Sequence, residues 1–142
     1  VTKMAALARE EMSHFEMVHQ RILERGFVLG RERKDEYVAR ISQFFPKTSD
    51  REERLINRLL IAALIEARSC ERFKLLSENL KDEELAKFYK NLMVSEANHY
   101  TMFIGLARQY GEREVVDHKW QKLIDFEGEI IQDFDKSELI HG

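Results

Sequence analysis

Between Leu85 and Tyr110 an apolar residue recurs every three or four positions, at Leu85, Phe88, Leu92, Phe103, Leu106 and Tyr110, and Glu96 and His99 stand where the period calls for another Leu or Ile. Such a stripe commits the segment to a helix with one buried face. A carboxylate on that face must be paired, protonated or bound to a cation, so the fold has to supply a partner for Glu96. The same pairing of carboxylate and imidazole, three residues apart, recurs at Glu11 and His14 on a second helical stripe, Leu7, Ala8, Glu11, Phe15, Val18 and Ile22. The expectation is a chain that brings two Glu-x-x-His helices together.

The length of 142 residues suits one domain with a core of ordinary size, read here as residues 1–142. One proline, six glycines, a charged fraction of 35% and no alternating segments point to an all-α fold. The lone Cys70 cannot form an intrachain bridge, and no secretory segment or apolar run of about 18 residues occurs, which makes the cytoplasm the expected location. A formal net charge of −3 argues against a strongly cationic nucleic-acid binder but leaves room for a local basic patch.

The first helix is expected from about Thr2 to Arg25, stopped by Gly26. It has no capping residue ahead of it except Thr2, so the chain is expected to begin inside or near a helix, with an N-terminal portion preceding Val1. Glu16 and His19 repeat the Glu-x-x-His spacing but point about 140° away from Glu11, a surface coincidence. Residues 27–49, with Gly30, the charge run 31–36, a short apolar piece Tyr37 to Phe45 and Pro46, form a connection able to run the ~30 Å height of a helix bundle. That suits a crossover between helices pointing the same way.

A capping box at Ser49-Asp50-Arg51-Glu52 opens the next helix, which should reach about Asn79 with the stripe Leu55, Leu59, Ala62, Glu66, Cys70, Phe73, Leu76, Leu80. A break at Lys81-Asp82, with Asp82 as N-cap, starts the helix of Glu96 and His99, ending at Gly111. The two must form an antiparallel hairpin. Glu66 and Glu96 are equidistant from residue 81, so they sit at one height, whereas Glu71 faces the level of Asn91 and is read as solvated or paired with Arg68 or Lys74. The last helix, Val115 to Phe134, carries Trp120, Leu123, Ile124, Glu127, Ile130, Ile131 and Phe134 on its apolar face.

Two Glu-x-x-His helices with Glu66 match, one carboxylate short, the di-iron or di-manganese site of ferritin-like bundles. The candidate ligands are Glu11, His14, Glu66, Glu96 and His99, with Glu127 a lesser extra. A single such motif in a Glu-rich helical protein is commonplace, and it is the pair on apolar faces with a height-matched Glu66 that favours a metal centre. Glu127 is read first as a carboxylate turned to a bundle edge or an arginine, Cys70 as a small buried hydrophobe, and Met4, Met12, Met93 and Met102 as packing residues.

The stretches LLIAALIEARSCERF (59–73), ELAKFY (84–89), SEANHY (95–100) and REEMSHFEMV (9–18), with the Ile140-His141-Gly142 ending, together resemble the MiaE family of tRNA-modifying, non-haem di-iron monooxygenases. The resemblance covers nearly all of the chain. It implies a ferritin-like four-helix bundle with a long crossover and an extra C-terminal helix. It also implies O2-dependent hydroxylation of the isopentenyl group of 2-methylthio-N6-isopentenyladenosine at tRNA position 37, in the anticodon stem-loop. Two iron ions would be held by Glu11, His14, Glu66, Glu96 and His99, with Glu11 and Glu96 bridging. Electrons would come from an external reductase, since the chain has no flavin or ferredoxin motif.

The family's first bundle helix and its carboxylate have no counterpart before Val1. A helix preceding Val1 in a longer chain is the preferred explanation; a helix from another chain, or Glu127 in its place, would also complete the set. Phe15, Phe73, Leu92 and Phe103 are candidates for a wall around the prenyl group or for ordinary core. Arg31, Arg33, Lys34, Lys47, Arg51, Arg54 and Arg58 offer a basic surface for tRNA, or a solvated loop. The competing functions are a ferritin-like oxidase or iron-handling protein without a nucleic-acid substrate, and a metal-free helical interaction module.

Overall fold

A computed structural model describes residues 2–31 and 33–137, with the side chains of 134–137 excepted. Phe134 as a packing residue and the 140–142 ending therefore lie outside what is described. The described residues form five helices and no strand, the expected all-α fold: α1 (Thr2–Glu24), α2 (Glu36–Ile41), α3 (Arg51–Asn79), α4 (Glu83–Tyr110) and α5 (Arg113–Ser137). None is long and apolar enough to cross a membrane. The chain divides into two compact units, residues 1–33 and residues 34–142.

In the first unit, α1 ends in a Schellman motif. Gly26 adopts φ 76°, its N–H donates to the Leu23 carbonyl at 2.9 Å, and the Phe27 N–H donates to the Ile22 carbonyl at 3.1 Å. Only a residue that tolerates positive φ closes a helix this way without strain. Of the expected α1 stripe, Leu7 is buried, Glu11 and Ile22 are half-buried, and Ala8, Phe15 and Val18 are exposed. Met4 and Met12 are exposed as well, contrary to their reading as packing residues, whereas Met93 and Met102 of α4 are half-buried. The periodicity of α1 is real, but α1 is the single described helix of its unit and has no second helix there to cover the stripe.

In the second unit the caps come from aspartates. Asp35 opens α2 by accepting from the Val38 N–H, and Asp82 opens α4 by accepting from the Leu85 N–H at 3.0 Å. For α3 the cap is Asp50, which accepts from the N–H groups of Glu52 and Glu53 at 2.8 and 3.0 Å. The cap expected from Ser49 is thus displaced by one residue, because the charged carboxylate of Asp50 satisfies two orphan donors at once. Gly111 ends α4 in extended backbone, not the left-handed turn expected of a helix-terminal glycine. Its reason is space: a Cβ there would lie 2.7 Å from Ile56 Cδ1 and 3.1 Å from Val116 Cγ2.

The turn at Leu80–Asp82 folds α3 and α4 into the expected antiparallel hairpin, and α5 returns against both. Helix α3 therefore buries two stripes, with Ile56, Leu60, Ala63 and Leu64 enclosed alongside Leu59, while Leu55 at the edge of the expected stripe is exposed. Along α5 the buried line is Val116, Leu123, Glu127 and Ile130; Trp120 and Ile124 are half-buried and Ile131 is exposed.

Candidate metal centre

On α4 the candidate ligands Glu96 and His99 sit inside the helical core. Glu96 is 6% and His99 4% exposed, between Leu92 one turn before and Phe103 one turn after, both buried. The hairpin brings Glu66 of α3 to them: one ligand atom from each of Glu66, Glu96 and His99 lies within 4.8 Å of the other two. The half-buried Glu66 with the buried Glu96 and His99 forms a hard, mixed oxygen and nitrogen donor set. That set fits iron or manganese. The height match of Glu66 with Glu96 is what the geometry delivers.

Glu71, by contrast, is exposed and ion-paired with Arg68, as expected of it. On α1, described by itself, Glu11 Oε1 lies 3.6 Å from His14 Nδ1, with both groups on one side of the helix. Glu16 is exposed and His19 half-buried, with His19 stacked on Phe15 at 5.9 Å.

Glu127 is almost wholly buried, at 1% exposure, and its partners are cationic and phenolic. Arg68 Nε donates to Oε1 at 2.6 Å and Nη2 to Oε2 at 2.5 Å, a bidentate fork, while the Tyr37 hydroxyl donates to Oε1 at 3.1 Å. Hydrogen bonding to Glu127 holds the Arg68 guanidinium still further above its ordinary value, against the cost of burial. Burial, then the Glu127 charge, pushes the Tyr37 phenol up. Both carboxylate oxygens of Glu127 are thereby occupied, so the arginine reading of this residue fits the geometry. Neither Arg68 nor Tyr37 was singled out as its partner from sequence, because they lie 59 and 90 residues away in the chain.

Cys70, one turn after Glu66, is half-buried. Burial first, and then the Glu96 and Glu71 carboxylates, push its thiol up, so it remains a neutral side chain beside the ligands. Behind it a pocket of about 410 Å³ opens between α3, α4 and α5, lined in part by Ala67, Cys70, Tyr100, Trp120 and Ile124. The residues expected to wall a prenyl pocket are not among its lining: Leu92 and Phe103 are core, Phe73 stacks on Tyr89 at 5.6 Å, and Phe15 is exposed.

The all-helical fold and the carboxylate and imidazole groups gathered on α3 and α4 define a protein of the ferritin-like class. Within that class, the family model described as tRNA-(MS[2]IO[6]A)-hydroxylase (MiaE) matches residues 1–142, and the chain belongs to this family. It is 35% identical over 142 residues to the tRNA 2-(methylsulfanyl)-N(6)-isopentenyladenosine(37) hydroxylase of Pseudomonas putida, covering 100% of this chain and 68% of the relative. It is 34% identical over 119 residues to the protein of the same name from Salmonella typhimurium, covering 81% of this chain and 42% of that relative.

Proposed function

We propose that this chain is the metal-binding part of a tRNA hydroxylase acting on the isopentenyl group of 2-(methylsulfanyl)-N6-isopentenyladenosine at position 37, in the anticodon stem-loop of a cytoplasmic tRNA. The observation that carries the reading is the convergence of Glu66 with the buried Glu96 and His99, in a chain that matches the hydroxylase family over its whole length. Under this reading Glu66, Glu96 and His99 hold iron together with Glu11 and His14 of α1, whose spacing repeats that of Glu96 and His99. Glu127 is left out of the ligand set because Arg68 and Tyr37 occupy its oxygens.

Bound iron would supply the oxidising chemistry that inserts one oxygen atom of O2 into a prenyl C–H bond, the other leaving as water with two electrons from an external reductase and two protons from solvent. The protein's own contribution is positional. Placing Glu66 and the pair Glu96 and His99 on two packed helices fixes the separation of these three before metal arrives, and Leu92 and Phe103 bury one turn on either side of the pair. Neither a ferritin-like oxidase or iron-handling role without a nucleic-acid substrate nor a metal-free interaction module is favoured, since the family match is to a hydroxylase and the cluster of acids and imidazole suits a cation.

The test is single-turnover hydroxylation of tRNA bearing the prenylated base, with iron-loaded protein, O2 and a reductant. Hydroxylated nucleoside that depends on iron is expected. Iron-loaded, reduced protein that leaves the prenylated tRNA unchanged would contradict the proposal.

A further inference from the structure

Four of the eight arginines of the second unit pair with acids: Arg40 with Asp133, Arg68 with Glu127 and Glu71, and Arg108 and Arg113 with Asp117. A surface pocket of about 430 Å³ where the connection after α2 meets the start of α3 gathers two of the other arginines and a lysine. Its lining contains Lys47, Arg54 and Arg58, together with Ser42, Phe45 and Asn57, and no carboxylate. Among the described residues, none of the three cations takes part in an ion pair.

The nearby acids of the same stretch are committed elsewhere. Asp50 caps α3 and Glu53 accepts from Lys119 at 2.8 Å, while Glu52 does not line the pocket. Arg54, Asn57 and Arg58 share one face of α3, at positions i, i+3 and i+4. Asn57 is 6% exposed, and its carboxamide oxygen accepts from Lys119 at 3.0 Å, which leaves the amide nitrogen as the group with hydrogens to donate. A chain with a net charge of −3 thus keeps three unneutralised cations and a buried amide donor around one recess. Guanidinium groups a helical turn apart, about 6 Å along the axis, are donors suited to phosphate oxygens on one strand.

We propose that this pocket binds the phosphate backbone of RNA, gripping the tRNA away from the reacting base. The inference rests on the tRNA reading above. Its contacts are to backbone and not to bases, so they supply affinity and orientation without sequence preference.

The experiment measures tRNA binding by the intact iron-loaded protein across a salt series, for the wild type and for the combined Lys47→Gln, Arg54→Gln and Arg58→Gln variant. Arg108→Gln, which removes a cation outside the pocket, serves as control. Loss of the pocket cations should weaken tRNA binding about tenfold or more and flatten the dependence of log affinity on log salt by about two. The control should stay near wild type, and helical content and iron content should be unchanged in both. The Michaelis constant for tRNA should rise accordingly.

Wild-type affinity and salt dependence in the triple variant would overturn the inference while leaving the hydroxylase reading intact. So would a pocket that binds inorganic phosphate in the wild type but whose loss leaves tRNA affinity untouched. A wild type that neither binds nor modifies tRNA would sink both.

Discussion

Glu96 and Glu127 present the same problem and receive different answers. Each is a carboxylate on the apolar stripe of a long helix, and each is almost fully enclosed, at 6% and 1% exposure. Glu127 meets a guanidinium in a bidentate fork and a phenol, so its charge is balanced by protein alone. Glu96 instead meets a second carboxylate and an imidazole. A carboxylate beside another acid and an imidazole belongs to a donor set that suits a cation, whereas one held by a guanidinium and a phenol is a structural ion pair.

The comparison is tested most severely at the ligands. Glu66→Ala should abolish both iron retention and turnover, while Glu71→Ala, five residues along α3 and already exposed, should keep both. The reverse result, read by metal content and nucleoside analysis, would overturn the height match of Glu66 with Glu96.

Next in size is the structural pair. Arg68→Met strands a buried carboxylate and should cost about 3–5 kcal/mol in urea unfolding, with iron content unchanged. A loss below about 1 kcal/mol would mean that the fork contributes little.

Tyr37→Phe removes one hydrogen bond to a charged acceptor and should cost about 1–2 kcal/mol at neutral pH. It should also change the alkaline limb. The phenol's ordinary value is 10.0 and its folded value is raised, so the stabilisation from protonated Tyr37 is complete below about pH 10 and is lost as pH climbs from there toward the raised value. The Phe variant should therefore lose stability less steeply than the wild type above pH 10; parallel curves would contradict the assignment.

The smallest effect is expected at Glu53. Hydrogen bonds from Lys119 and Thr48 lower its value from 4.5. Its contribution is therefore present above about pH 4.5 and fades as pH falls further, and Lys119→Met should shift the acid unfolding midpoint slightly upward.

The convergence of Glu66, Glu96 and His99 was legible because its information is local. Glu96 and His99 interrupt a sustained period, and one short turn fixes the register that selects Glu66 over Glu71. What could not be read depends on contacts distant in the chain. That Arg68 and Tyr37 would close on Glu127 has no periodic signature. The second buried stripe of α3 exists because α5 packs there, and spacing within α3 alone does not announce it. The displaced cap shows the opposite limit: Ser49 and Asp50 are both good caps, and the choice is settled by which oxygen reaches two N–H groups. The basic surface anticipated across residues 31–58 narrows in the proposal to Lys47, Arg54 and Arg58, which line one pocket without a carboxylate, a grouping that composition does not show.

The central claim is that the two buried carboxylates differ in kind, and iron binding by isosteric variants tests it most directly. Ferrous iron titrated into Glu96→Gln should bind at least about 100-fold more weakly than to wild type, since even outer-shell partners of metal ligands cost 10–100-fold. Glu127→Gln should bind iron as wild type does, with its loss confined to folding stability. Iron affinity that survives in Glu96→Gln and collapses in Glu127→Gln would contradict the account.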